Sequence, residues 1–451
     1  MKRVCMAFLE EWLESSDRKP LVIRGARQVG KTWVVRELAK LAGRTIIELN
    51  FEKKPELASL FVSNDPKQII LNLSSIYGDI DPKRSILFLD EIQAVPELLA
   101  KLRWFAEEMV ELPIIAAGSL LEFILAKHTF SMPVGRINYM YLEPLSFEEF
   151  LHAKDKLGLI NYIKNYQLNM SIPEAIHNEL MGIFKEYIIV GGMPQAVNSW
   201  ITINSLTEVN RIHNDLIATC RDDFNKYSGR ISVERLNEVI TAVPFFLGQK
   251  FMYSKVNSDV QAASVKQALD LLCNARVCHK IFGSAGNGVP LAAEVQEKYL
   301  KVLLLDVGLC SALLGLTLDQ LTVAKNISLI NSGGVSEQVT GQILRTITPF
   351  YIDPSLYYWQ RNEKGSNAEV DYLVQHQNKV VPLEVKAGST GSLKSLHLFM
   401  SLKKLSLAVR VNADMPSSMM VNVKDHAGNN IEYNLISIPY YLLGELPRLL
   451  I

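Results

Sequence analysis

Gly25-Ala26-Arg27-Gln28-Val29-Gly30-Lys31-Thr32 follows the pattern GxxxxGK[ST], and its flanks set it between a strand and a helix. Ahead of it, Leu21-Val22-Ile23 is a short apolar run of the kind a buried strand shows. Behind it, Trp33-Val34-Val35-Arg36-Glu37-Leu38-Ala39-Lys40-Leu41 reads as helix. Glycines let the backbone turn sharply and approach a phosphate with no Cβ in the way. The loop amides and the helix N-terminus then offer donors and partial positive charge to a β-phosphate. Residues Gly25 to Trp33 would thus line a bound ATP, Lys31 reaching its β- and γ-phosphates and the Thr32 hydroxyl ligating Mg²⁺.

Ser85-Ile86-Leu87-Phe88-Leu89-Asp90-Glu91 is the second element of that pattern. A continuous apolar run is what a strand covered on both faces of a parallel sheet looks like, and carboxylates at its C-terminal end fall where open α/β sheets bind ligands. Asp90 would hold Mg²⁺, and Glu91 would act as general base toward the attacking water. A third apolar run, Leu112 to Gly118, ends in Ser119. That hydroxyl reads equally as a γ-phosphate sensor or as the cap of the next helix.

With 451 residues the chain has room for about two to four domains. Its formal net charge of zero excludes a whole-surface basic footprint, though not a basic stripe on one part. Cys5, Cys220, Cys273, Cys278 and Cys310 form no CxxC pair, which fits buried thiols in a reducing cytoplasm better than disulfides or zinc. The N-terminus lacks a leader-like apolar core, and no apolar run is long enough to span a membrane.

Strand and helix alternate over residues 1–150, the pattern of a parallel sheet wound with helices. Residues 151–225 read as a helical lid, broken at Gly191-Gly192-Met193-Pro194, a helix C-cap followed by proline. Over 226–310, helical spacing at Ile231–Phe246 and Ala263–Ala275 gives way to strands at Val277–Phe282 and Tyr299–Leu305, the order of a winged helix. Its recognition helix, Ser264 to Leu272, carries one cation, Lys266, so DNA contact and a plain protein-interaction role stand side by side.

Residues 311–451 form a second α/β unit with a chemistry of its own. Alternation along a strand puts Glu369 and Asp371 on one face of Glu369–Val374, and Glu384 and Lys386 on one face of Val380–Lys386. Asp371 and Glu384 could hold Mg²⁺ while Lys386 stabilises a developing phosphorane charge, the D…ExK arrangement of PD-(D/E)xK nucleases. Glu337, at the start of a helix, could join the metal ligands from the side. The competing reading is a solvated strand face with a salt bridge from Lys386.

As a whole the chain resembles a prokaryotic family of AAA+-like P-loop ATPases with a C-terminal DUF4143 domain. The resemblance rests on the Gly25–Thr32 loop, Asn50-Phe51-Glu52, Leu89-Asp90-Glu91-Ile92-Gln93, Gly118-Ser119, Gly135-Arg136, Pro144-Leu145-Ser146-Phe147, Gly191-Gly192-Met193-Pro194, Asp223-Phe224, Asp306-x-Gly308-Leu309, Glu369-Val370-Asp371 and Glu384-Val385-Lys386. It implies an α/β fold: a P-loop parallel sheet, a helical lid, a winged-helix segment and a restriction-endonuclease-like C-terminal domain. It also makes Arg136 a candidate arginine for the γ-phosphate, in cis or across an oligomer interface, with a structural salt bridge as the alternative. The chain departs from the nuclease pattern in having Glu369-Val370-Asp371 where Pro-Asp is expected. Two functions follow: an ATPase coupled to a Mg²⁺-dependent nuclease acting on nucleic acid, or an ATP-driven switch that binds DNA or a protein partner without cutting.

Overall fold

The computed structural model describes residues 1–119, 121, 133–227, 231–317, 333–363, 366–386, 393–424 and 430–450. Five strands, β1 (Leu21–Arg24), β2 (Thr45–Asn50), β3 (Ser85–Asp90), β4 (Ile114–Ala117) and β5 (Asn138–Tyr141), form one sheet in the order β2-β3-β4-β1-β5. Every pairing in it is parallel. The central strands β3 and β4 are buried at every position, as helices on both faces require, whereas the edge strands β2 and β5 alternate toward solvent. Because β4 lies between β1 and β3, its end at Gly118-Ser119 falls between the Gly25–Thr32 loop and Asp90-Glu91.

Helices occupy most of 147–274, including the long Leu206–Tyr227 and the Val233–Ala242 and Ala262–Asn274 pair. A second sheet follows, built from β6 (Cys278–Ser284), β7 (Val295–Leu304), β8 (Leu356–Glu363), β9 (Ser366–His376), β10 (Lys379–Val385), β11 (Leu407–Asn412), β12 (Ser417–Lys424) and β13 (Asn430–Pro439). Its order is β12-β13-β11-β10-β9-β8-β6-β7, with parallel and antiparallel pairs mixed. The hairpin expected as a wing is therefore continuous with the C-terminal sheet: β6 pairs in parallel with β8, and the sheet runs across the boundary expected at residue 310. That pairing joins segments about seventy residues apart, which local sequence pattern cannot reveal.

Buried charge joins the two sheets. Glu143, just after β5, accepts from Arg345 at 2.7 and 3.1 Å on the helix Gly334–Thr346. Burial works against its charge, but Arg345, His279 and Arg276 outweigh burial and hold the carboxyl down at about 2. At Gly191-Gly192 the backbone is a long-range joint as well as the expected C-cap. Asp306 accepts from Gly192 N at 2.6 Å and caps its own helix through Gly308 N and Leu309 N. A Cβ on Gly191, where φ is 72°, would stand 2.0 Å from Asp306 Oδ1. The five cysteines are free; Cys5, Cys278 and Cys310 are buried as expected, while Cys220 and Cys273 are only partly so. Among the described residues no helix is long and apolar enough to cross a membrane.

Candidate functional site

The loop from Gly25 to Gly30 links β1 to the helix Lys31–Leu41, whose N-cap is Gly30 at φ 96°. Gln28, at φ 62°, is also left-handed, so successive turns aim loop amides into one concavity. Lys31 Nζ donates to Gly25 O and Ala26 O at 3.1 and 2.8 Å, curled over the loop that a phosphate would fill. The Thr32 hydroxyl lies 3.4 Å from both oxygens of Asp90, and Asn50 Nδ2 donates to Asp90 at 3.2 Å. Burial, then the neighbouring Glu91 and Glu48, push Asp90 up to about 6 from 3.8. A loop of inward amides, an ammonium, and a hydroxyl beside an acid form a donor set that fits a nucleotide phosphate with Mg²⁺.

Around that core the structure adds a connection. Glu91 stands at φ 51° and accepts from Gln93 Nε2 and, at 3.5 Å, from the Ser119 hydroxyl. Arg27 Nε donates to Ser119 Oγ at 3.2 Å, while its Nη1 donates to Asp223 on the helix Leu206–Tyr227 at 2.6 Å. Arg27 is thus the arginine that the structure brings to this group. Arg136 instead pairs with Glu107 at 2.8 Å and is half exposed. Trp33 is also partly exposed, at 40%. Arg3 was not foreseen: it is buried, donates to Val29 O at 2.8 Å, and pairs with Glu149 at 2.9 Å, pinning the loop from below. Nothing in its local sequence marks it, because its partners come from far along the chain.

The second candidate cluster differs from the expected one. β9 and β10 are antiparallel with Leu383 opposite Tyr372, which sets Glu384 beside Asp371. Asp371 Oδ2 accepts from Val385 N at 2.7 Å, and Lys386 Nζ lies 2.7 Å from Glu384 Oε1. Burial and the nearby Asp371 push Glu384 up to about 8. Glu337 does not complete a metal cage with them. Its carboxylate is 2.9 Å from Lys301 Nζ on β7, and the same ammonium is 2.5 Å from Glu369 and 4.0 Å from Asp371. Among the described residues, no three His, Cys, Asp or Glu side chains are arranged to hold a metal ion. Lys301 was missed, although one charge inside Tyr299-Leu300-Lys301-Val302-Leu303-Leu304 is a visible anomaly.

A family model described as an AAA domain matches residues 17–151, and one described as a domain of unknown function, DUF4143, matches 332–440. This chain is an AAA-type P-loop protein with a C-terminal DUF4143 domain. Between the two, a model for another domain of unknown function, DUF8612, matches 181–320, a span that takes in the β6–β7 hairpin of the DUF4143-side sheet. This P-loop protein therefore joins a parallel-sheet α/β P-loop NTPase fold to a C-terminal mixed-sheet unit. Among solved structures it is similar to the Aeropyrum pernix ORC1 protein in complex with DNA. The identity is 14%, covering 68% of this chain and 89% of that one, with a TM-score of 0.28. It is also similar to the Thermotoga maritima RuvB Holliday junction branch migration motor. There the identity is 16%, covering 60% of this chain and 87% of that one, with a TM-score of 0.30. No curated protein matches it.

Proposed function

We propose that this P-loop protein is a Mg²⁺-dependent ATP hydrolase whose nucleotide state acts as a switch on DNA or a protein partner. The observation that carries this reading is the connected path Asp223–Arg27–Ser119–Glu91, which runs from the helix Leu206–Tyr227 to the acid beside the P-loop. Lys31 would leave its own loop carbonyls for the β- and γ-phosphate oxygens, and Thr32 and Asp90 would hold the cation. Bound Mg²⁺ supplies charge neutralisation at those oxygens. Glu91 would take the proton of the attacking water, and Ser119, shared between Glu91 and Arg27, would feel the γ-phosphate's presence. Loss of that phosphate then alters Arg27 and, through Asp223, the helix beyond it. Arg136 would act across an interface only in an oligomer, since within one chain it is held by Glu107.

Amide hydrogen exchange along Leu206–Tyr227 tests the switch. ATP should change exchange there in Glu91→Gln, where hydrolysis is blocked, and not in Arg27→Ala. Identical exchange with and without ATP in both proteins would sink it.

A second reading, phosphodiester cleavage by Asp371, Glu384 and Lys386, is favoured by the β9–β10 register that brings those side chains together. It divides the chain into an ATPase part (1–150), a helical lid (151–225), a winged-helix-like segment (226–310) and a restriction-endonuclease-like domain (311–451). Against DNA contact by the second of these helices, Ala262–Asn274, stands its sparse charge: Lys266 is exposed, while Asp270 pairs with Lys280. Metal-dependent cutting of DNA or RNA, lost in Asp371→Ala/Glu384→Ala, would establish this reading. Intact nucleic acid under all metal conditions removes it.

A further inference from the structure

An ammonium from another strand borders the D…ExK cluster. Lys301 belongs to β7, the edge strand three places from β9 in the sheet, and its side chain is 2% exposed. Its Nζ lies 2.9 Å from Glu337 and 2.5 Å from Glu369, with Asp371 at 4.0 Å and the Tyr358 ring centroid at 5.1 Å. An ammonium with carboxylates on several sides and an aromatic face beside it has the surroundings of a bound cation. Glu337, the expected third metal ligand, is spent on this ammonium; Gly248, packed against it, would put a Cβ 2.7 Å from Glu337 Oε1. Asp371 is further engaged by Val385 N and Glu384 by Lys386. Glu384 Oε2 is buried without a hydrogen-bond partner among the described residues, so it is the atom on which the metal test bears most directly.

We propose that the Lys301 ammonium stands in the place of a metal ion in the D…ExK site, so that the site is held together from within and takes up no divalent cation. A burial this complete carries a desolvation cost that only several close carboxylates can offset: Glu337 and Glu369 pair with Lys301 and Asp371 stands at 4.0 Å from it, while the neighbouring Glu384 pairs with Lys386. The consequence is a nuclease-like fold whose acidic site joins the β6–β7 hairpin to the rest of the sheet. This goes beyond the ATPase reading and does not depend on it, since the experiment contains no nucleotide, and it is the alternative to metal-dependent cleavage by Asp371, Glu384 and Lys386.

Mn²⁺ uptake by the nucleotide-free full-length chain, followed by the paramagnetic resonance of free Mn²⁺, tests it. Wild type and Asp371→Asn/Glu384→Gln should take up the same amount. Lys301→Met should bind an additional equivalent and gain thermal stability on adding Mn²⁺, and Lys301→Met/Asp371→Asn should lose both gains. A wild type whose Mn²⁺ uptake falls in Asp371→Asn/Glu384→Gln overturns the proposal, as does a folded Lys301→Met that binds no more than wild type. The wild-type comparison needs no lysine variant, so it decides even where Lys301→Met does not fold. A metal-free check is charge compensation. Glu337→Gln/Glu369→Gln should lower the melting temperature sharply, and adding Lys301→Met should restore much of it. An unchanged melting temperature in Glu337→Gln/Glu369→Gln counts against the ammonium's role.

Discussion

Two acidic sites in this P-loop protein use the same residue types and end in different states. At the P-loop, Asp90 has Thr32 and Asn50 beside it, and Lys31 rests on carbonyls of its own loop. In the C-terminal sheet, Glu384 pairs with Lys386, and Asp371 stands 4.0 Å from Lys301, which is already paired to Glu337 and Glu369. The first is arranged so that a ligand completes it; in the second, lysines of the chain already pair with Glu337, Glu369 and Glu384. Strand-end acids with a nearby lysine are therefore not enough to specify a metal site. What decides is whether a long-range element brings its own cation.

The largest expected effect falls on the first site. Glu91→Gln should lower kcat for ATP hydrolysis by about 10²–10⁴-fold while leaving nucleotide affinity nearly intact, because it removes only the proton acceptor. Steady-state hydrolysis beside equilibrium nucleotide binding checks this, and an unchanged kcat would remove Glu91 from the chemistry. Cutting the joint between the two regions comes next. Arg345→Ala leaves Glu143 buried without its main partner and should cost about 3–5 kcal/mol in urea unfolding.

The same joint has a pH signature. Glu143 is held below its ordinary 4.5, at about 2, so its contribution is full above 4.5 and disappears as pH falls toward 2. Acid unfolding of wild type should be steeper through that window than that of Glu143→Gln, and matching curves would contradict the ion pair. Asp90 goes the opposite way. Raised to about 6 in the ligand-free protein, it must give up a proton to hold a cation. Mg²⁺-dependent nucleotide affinity should therefore fall by up to about tenfold for each pH unit below 6, and Asp90→Asn should flatten that dependence. Arg136→Ala should change least: its bond to Glu107 is a solvent-exposed pair, which water screens. A large loss of hydrolysis in that variant, growing with protein concentration, would place Arg136 at a neighbouring subunit.

Much of this was legible in the chain itself. The Gly25–Thr32 loop, the buried β3 ending in Asp90-Glu91, and the alternation that puts Glu384 and Lys386 on one face are local patterns. Their periodicity and turn chemistry follow from backbone geometry over a few residues. The thiols and the Gly191 cap were legible for the same reason, since each depends on near neighbours. Three features came only from tertiary structure. Arg27 joins Asp223, which lies 196 residues away; Arg3 reaches Glu149 across 146 residues; and Lys301 meets acids from β9 and the helix Gly334–Thr346. Each is a charge whose burial is offset only by partners that folding delivers. Sequence determined which groups could do chemistry, and the long-range pairing of strands and helices decided which of them were already satisfied.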